Sequence, residues 1–139
     1  MLNPEDLFVM DLDSLREDLY RMGNSTSPNF SEARGLIDCL VVDLDGIKMV
    51  VANGNGFSAF NRITQVMKSR GKNVWKIKKG SPLPEGIKLV KDLTNAGHFM
   101  LAPTTNMPFK KFLGLLEEIA TDSQVSVKLT PEEIVGDAD

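Results

Sequence analysis

The stretch DCLVVDLDGIKMVVANGNGFSAFNR, residues 38–62, is the part of the chain from which its fold is most readily inferred. Two apolar runs, 38–44 and 48–53, lie on either side of the dipeptide Asp45-Gly46. A dipeptide of this type between apolar runs is the usual signal of a two-residue β-hairpin turn. We therefore predict two antiparallel strands joined by a tight turn.

The second strand ends at Gly54-Asn55-Gly56, and apolar residues then recur at helical spacing. This periodicity predicts an amphipathic helix over residues 58–68, with the Ser58 hydroxyl close to its N-terminus. A glycine-rich turn between a strand and a helix can bring backbone amides close to an anionic ligand. It can equally be no more than a tight turn, and the sequence leaves both interpretations open.

Residues 54–59, GNGFSA, fit the loose dinucleotide-binding fingerprint. The acidic residue that binds ribose should follow about 20 residues later. However, no acidic residue lies between Asp45 and Glu85. We therefore exclude a Rossmann domain and keep only the prediction that the turn presents Ser58.

The flanking sequence predicts further short strands and few helices. Residues 3–10 form an irregular lead-in, and a short helix over 11–20 competes with a strand over 18–22. The apolar stripe of residues 109–120 predicts a helix. Additional strands are predicted at 74–78, 87–90, 98–102 and 125–129. This order favours an α+β fold with mainly antiparallel sheets and two to three helices.

The composition is that of an ordinary globular domain. The 139 residues are 42% hydrophobic and 25% charged, which suffices for a core without disulfides. We expect one domain over 1–139, with loose ends at 1–10 and 130–139. A single cysteine excludes an internal disulfide, and one cysteine with one histidine excludes a zinc site built mainly from these ligands, so we expect no metal.

No apolar run approaches the roughly 18 residues of a membrane span, so we expect no membrane partner. The acidic N-terminus lacks the pattern of a signal peptide. We therefore expect a cytoplasmic protein, or one delivered to target cells without a cleavable leader.

The net charge of −3 conceals a basic middle region. Residues 62–91 contain nine basic residues and one acidic residue, Glu85. Such asymmetry raises the local potential where an anion could bind. It does not distinguish a nucleotide, an RNA or an acidic protein partner.

Three single residues are candidates for a chemical or packing role. His98 opens an apolar strand, where it could act as acid or base, hydrogen-bond a ribose, or serve only the structure. Arg21 precedes the polar loop GNSTS and is either a surface residue or a bidentate phosphate ligand. Cys39 precedes an apolar run and is interpreted as buried packing.

Several segments occur in an order that resembles a known family. They are Leu-Tyr-Arg (19–21), ANGNGFSAFNR (52–62), LPEGIKLVKD (83–92), HFMLAP (98–103), and Met107 followed by a helix. Over most of residues 19–120 the chain resembles the small type VI secretion effector toxins with an ADP-ribosyltransferase fold.

The resemblance implies a split core of two small sheets that closes around NAD, which is consumed as a substrate. It implies a strand arginine at Arg21, a hydroxyl-bearing glycine turn at Gly56 and Ser58, and a strand-opening histidine at His98. The implied catalytic residues are Arg21, Ser58 and His98. The implied NAD-binding residues are Arg21, Asn24, Gly54, Gly56, Phe57, Ser58 and Arg62.

The chain departs from ADP-ribosyltransferases in general at one point. These enzymes use a glutamate on a late strand to hold the nicotinamide ribose and stabilise the cationic transition state. Here Glu117 and Glu118 lie on a predicted helix and Glu85 lies in a predicted turn.

Three function hypotheses follow from these observations. The first is a toxin-like ADP-ribosyltransferase or NAD-consuming enzyme with an intracellular target and a cognate immunity protein. The second is a ribonuclease-like toxin that uses the basic residues 62–91. Trp75 is the only aromatic residue there that could stack on a base, which disfavours nucleic acid as a partner. The third is a catalytically inert binding module of the same fold, which the missing late-strand glutamate favours.

Overall fold

A computed structural model describes residues 1–136, in which the strands form two antiparallel sheets. The strands are β1 Leu7–Met10, β2 Leu19–Met22, β3 Val41–Leu44, β4 Ile47–Val50, β5 Phe57–Phe60, β6 Val74–Ile77, β7 Ile87–Asp92, β8 His98–Pro103, β9 Met107–Pro108 and β10 Ser126–Lys128. The α-helices are α1 Glu32–Asp38, α2 Gln65–Arg70, α3 Phe109–Thr121 and α4 Pro131–Gly136.

The larger sheet has the strand order β1-β7-β8-β5-β2-β6-β10, and the smaller one has the order β3-β4-β9. Every pairing between named strands is antiparallel. The α+β prediction with mainly antiparallel sheets is therefore confirmed. Within residues 1–136 there are four α-helices rather than the two to three predicted.

The predicted hairpin is present as β3 and β4. Leu44 pairs with Ile47, and the two turn residues Asp45 and Gly46 have φ angles of 52° and 85°. Two positive φ angles in succession define the turn whose twist matches antiparallel strands. The first strand begins later than predicted, because Asp38 ends helix α1.

The predicted helix over residues 58–68 is wrong in its first half. Residues Phe57–Phe60 form strand β5, and a helix begins only at Gln65, where the Thr64 hydroxyl accepts a hydrogen bond from the Met67 amide. Burial in FSAF alternates, with fully buried residues at 57 and 59 and half-buried ones at 58 and 60. This period of two is typical of a strand that covers the core with one face.

The predicted loose ends are also wrong for most of their length. Residues Pro4–Asp6 form a single 3-10 turn, and β1 pairs with β7, which would otherwise be an exposed edge. At the other end, Pro131–Gly136 is helical and buries Ile134 completely. Residues 137–139 lie outside the described part of the chain.

The competing predictions for residues 11–22 are decided in favour of the strand. Leu19–Met22 forms β2, and the described chain contains no helix over residues 11–20. Leu19 is fully buried and pairs with Ile77 on the neighbouring strand. Burial of Leu19 in the tertiary structure therefore outweighs the local helical spacing of apolar residues over 11–20.

Helix α3 supplies one side of the main core, as its apolar stripe predicts. Four residues of the stripe are buried: Phe109, Phe112, Leu116 and Ile119. They pack with Phe57 of the large sheet, whose ring centroid lies 6.1 Å from that of Phe112. Cys39 belongs to the same cluster, and burial raises the pKa of its thiol to about 12, so the prediction of buried packing is confirmed.

Candidate active site

The large sheet opens between two of its central strands. Within residues 1–136, β2 and β5 pair only at Tyr20 and Phe60, whereas β5 and β8 pair at four positions. A cleft of about 440 Å³ lies at this opening. Its lining residues are Arg21, Met22, Gly23, Asn29, Arg34, Ser58, Phe60, Met67 and Arg70.

Arg21 joins the two walls of the opening. Its side chain is buried, and Nε donates to Pro28 O at 2.7 Å while Nη2 donates to Asn29 O at 2.7 Å. Nη1 donates to Ser58 O at 2.6 Å, across the gap. These bonds use three of the five guanidinium N–H groups.

The charge of Arg21 is stabilised by carbonyl dipoles and aromatic rings, and by the negative charge of Asp38 without a direct ion pair. Its guanidinium carbon lies 4.9 Å from the ring centroid of Phe30 and 5.1 Å from that of Phe57. Among the described residues it makes no salt bridge. Burial lowers the pKa of Arg21 to about 10, so the group remains a cation at neutral pH. A desolvated cation without an ion pair favours binding of an anion.

Ser58 begins a line of hydrogen-bonded side chains. Its Oγ lies 2.9 Å from His98 Nε2, and His98 Nδ1 lies 2.7 Å from Asp92 Oδ2. The His98 ring also stacks at a tilt on Phe60, with centroids 4.9 Å apart. A hydroxyl, an imidazole and a carboxylate in this order form the arrangement that activates or orients a serine.

Thr94 fixes the carboxylate at the far end of this line. Its amide and its hydroxyl donate to Asp92 Oδ1, at 2.8 and 2.6 Å respectively. Burial raises the pKa of Asp92, but the hydrogen bonds from Thr94 and His98 outweigh it and hold the pKa below its ordinary value. Asp92 is therefore a carboxylate at neutral pH.

Two further arginines lie at the cleft. Arg34 of α1 pairs with Asp38 at 3.0 Å, and Arg70 of α2 donates to Gly23 O at 2.8 Å. Both side chains are exposed. Together with Arg21 they give a lining that contains three guanidinium groups and no carboxylate.

The structure brings the three predicted catalytic residues together. Arg21 contacts the backbone of Ser58, and Ser58 contacts His98. Arg62 lies outside the cleft lining and donates to Ala96 O at 2.8 Å, in the loop that leads to His98. Arg21 and Ser58 line the cleft, whereas His98 contacts Ser58 from outside the lining.

The structure gives other surroundings to the remaining predicted NAD-binding residues. Gly54 and Gly56 are buried against protein atoms, and Phe57 has no exposed surface. The Asn24 side chain accepts hydrogen bonds from Thr26 and Ser27 and thereby shapes its own loop. None of these four predicted residues lines the cleft, and we leave them out of the site proposed below.

Three residues at or behind the cleft are not among the predicted site residues: Asp92, Arg34 and Arg70. The spacing Asp92-Leu-Thr94 is typical of a turn in which the carboxylate accepts the later amide, and this signal could have drawn attention to Asp92. No local pattern marks the two arginines, because their proximity depends on how α1 and α2 are placed.

The basic stretch 62–91 does not form one surface. Its strands β6 and β7 are separated in the sheet by β8, β5 and β2. Trp75 is only 9% exposed, and its Nε1 donates to Asn24 O at 2.9 Å. The one aromatic residue of the stretch is therefore buried, which further disfavours the nucleic-acid hypothesis.

A split, antiparallel α+β core with an arginine, a serine and a histidine at the split is the architecture expected of an ADP-ribosyltransferase-like protein. The sequence matches the model of the Tse2 ADP-ribosyltransferase toxin family over residues 13–126, more than four fifths of the chain. The chain belongs to this family of toxins. No curated protein and no solved structure gives a significant match.

Residues 1–136 contain neither a metal-binding cluster nor a membrane-spanning helix. No group of three or more histidine, cysteine, aspartate or glutamate residues is placed to hold a metal ion. Every helix in this part of the chain is too short or too polar to cross a lipid bilayer.

Proposed function

We propose that the protein cleaves the bond between nicotinamide and ribose in NAD and transfers the ADP-ribose to an intracellular macromolecule. The observation that carries this proposal is the buried guanidinium of Arg21 beside the Ser58–His98 pair, in a cleft without carboxylates. Membership of an ADP-ribosyltransferase toxin family independently favours this reaction.

The three guanidinium groups suit the phosphates of NAD. The two adjacent phosphates each carry a negative charge, and arginine is the side chain best shaped to bind them through paired N–H groups. Arg34 and Arg70 are exposed at the cleft and each has a single partner among the described residues, Asp38 and Gly23 O, whereas Arg21 is held by three carbonyls. We assign phosphate binding to Arg34 and Arg70, with Arg21 supplying the fixed positive charge beneath them.

Ser58 and His98 suit the ribose that loses nicotinamide. Loss of nicotinamide leaves positive charge on this ribose, so the site must hold the sugar in one orientation and stabilise the charge. A hydroxyl on a rigid strand, backed by an imidazole at 2.9 Å, provides a fixed hydrogen-bonding group for that purpose.

The biological setting is proposed by analogy with the family that the sequence resembles. We propose delivery by a type VI secretion system, without a cleavable leader, into the cytoplasm of a target cell. A cognate immunity protein would then protect the producing cell.

The test is incubation of the purified protein with NAD, labelled in either the nicotinamide or the adenylate part, and cell lysate. We expect release of nicotinamide together with adenylate label on a macromolecule. Absence of both products would overturn the proposal, and nicotinamide release without transferred label would reduce it to NAD hydrolysis.

Variants at the cleft test the phosphate assignment in the same assay. Arg34→Ala and Arg70→Ala should each raise the KM for NAD about tenfold, since each removes a charge-assisted hydrogen bond. Arg16→Ala is the matched control, because Arg16 is an exposed arginine outside the cleft lining. An unchanged KM in both cleft variants would remove these arginines from the site.

A further inference from the structure

When the His98 ring is neutral, the line of hydrogen bonds behind Ser58 allows only one arrangement of protons. Thr94 donates to Asp92 Oδ1 through both its amide and its hydroxyl, so Oδ2 is the oxygen that meets His98 Nδ1, at 2.7 Å. An ionised carboxylate can only accept hydrogen bonds. The Nδ1 atom of His98 must therefore carry a proton.

This assignment extends to the serine. A neutral imidazole carries one proton, so protonation at Nδ1 leaves a lone pair at Nε2. Nε2 lies 2.9 Å from Ser58 Oγ, and only the serine hydroxyl can supply a proton to that contact. The donors then run in one direction, from Ser58 to His98 to Asp92.

We propose that Asp92 is a positioning residue, which fixes His98 as the Nδ1–H tautomer and turns the Ser58 hydroxyl proton towards His98. The Ser58 oxygen then presents its lone pairs to the cleft that Ser58 lines. The inference deepens the proposed function and rests on it for its catalytic consequence.

That consequence concerns the positive charge on the ribose. When the nicotinamide–ribose bond breaks, its electron pair goes to the ring nitrogen, neutral nicotinamide leaves, and the anomeric carbon becomes cationic. Ser58 keeps its proton, which it shares with His98, and its oxygen stabilises the cation through its lone pairs. This oxygen stabilises the cation electrostatically, as a carboxylate would, in a cleft whose lining contains no carboxylate.

The substitution Asp92→Asn separates positioning from mere packing. The two donors of Thr94 keep an oxygen at the Oδ1 position, so the new amide nitrogen must face His98 Nδ1. An amide nitrogen donates and cannot accept, which forces the neutral imidazole to carry its proton on Nε2. The variant has nearly the same shape but reverses the tautomer, so Ser58 accepts where it previously donated.

The tautomer can be read directly, because His98 is the only histidine of the chain. We would record ¹⁵N NMR spectra of the imidazole at alkaline pH, where the ring is neutral, and without NAD. The wild type should show a protonated Nδ1, and Asp92→Asn should show a protonated Nε2. Thr94→Val is the control: it removes one donor but keeps the carboxylate, so the Nδ1–H tautomer should persist.

Kinetics of nicotinamide release supply the second measurement. Asp92→Asn should lower kcat about 100-fold with little change in KM, because the Ser58 oxygen no longer turns its lone pairs towards the cationic ribose. Leu93→Ala, at an exposed residue next to Asp92, should retain the wild-type kcat.

A wild-type spectrum with the proton on Nε2 would overturn the inference, whether or not the Asp92 variant folds. So would an Asp92→Asn variant that reverses the tautomer and keeps its kcat. Because the spectra need no NAD, they decide the tautomer even for a protein that releases no nicotinamide. Failure to release nicotinamide would overturn the proposed function, whatever the tautomer.

Discussion

The turn 53–56 and strand β5 are adjacent in sequence, but their surroundings in the fold differ completely. In the turn, a side chain at Gly56 would overlap the Leu101 carbonyl, and Asn55 is hydrogen-bonded to the backbone of Leu2 through both atoms of its amide. On the strand, Ser58 lines the cleft and contacts His98. The glycines thus serve the packing of the sheet, whereas the next residues are those to which we assign the chemistry.

The largest expected effect lies on the strand side of this comparison. Ser58→Ala should lower the rate of nicotinamide release at least about 100-fold, because the Ser58 hydroxyl that orients and stabilises the reacting ribose is removed. Its free energy of unfolding should fall by only about 1 kcal/mol, the value of one hydrogen bond. Ser123→Ala, at an exposed serine, should change neither quantity. A Ser58→Ala variant with wild-type turnover would remove the strand from the chemistry.

The next effect lies on the turn side and concerns stability. Gly56→Ala should lower the free energy of unfolding in urea by about 3 kcal/mol, since the added methyl group overlaps backbone that cannot move easily. Gly114→Ala is the matched control, because nothing lies within 4 Å of the new methyl group on helix α3, and we expect a gain of up to about 1 kcal/mol. If Gly56→Ala unfolds like the wild type but has a raised KM for NAD, the turn is a ligand cradle and the comparison fails.

The smallest effect is a difference in how stability depends on pH. It compares the turn with the hydrogen-bonded line that runs from Ser58 on β5 to Asp92. Hydrogen bonds hold the pKa of Asp92 below that of an unfolded aspartate, so its contribution to stability is complete above the unfolded pKa and is lost as pH falls through the folded one. Asp92→Asn should cost about 1.5 kcal/mol at pH 5.

The deficit of Asp92→Asn should shrink as the pH falls further below about 5. Asn55→Ala removes hydrogen bonds from the turn without removing a titrating group. Its deficit should therefore stay constant over the same range. Urea unfolding at several acidic pH values measures the stability deficit of each variant. If the two deficits change with pH in parallel, Asp92 is not the titrating group that stabilises the site.

Local patterns predicted the elements whose stabilising contacts are close in sequence. The Asp45-Gly46 turn and the apolar stripe of α3 are each complete within a short window, and both are present. Strand β5 was not predicted, because FSAF is too short to establish a period of two. Its apolar residues also continue at helical spacing into α2, which begins at Gln65.

The features that sequence could not predict depend on contacts between distant segments. Strand β1 exists because β7 provides its partner, and the paired residues Met10 and Leu89 are distant in the sequence. Asp92 becomes significant only because β7 and β8 pair and bring His98 beside it. Arg21, Ser58 and His98 were assigned through the resemblance, whereas Arg34 and Arg70 required the placement of two helices.

The three carbonyls held by Arg21 have a consequence for how occupancy of the cleft is transmitted. Pro28 O and Asn29 O belong to one wall and Ser58 O to the other, so a single side chain tethers both sides of the gap. Any anion that draws on this guanidinium changes the restraint on both walls together. We therefore expect an anion that fills the cleft to slow amide hydrogen exchange along β2 and β5 at the same time.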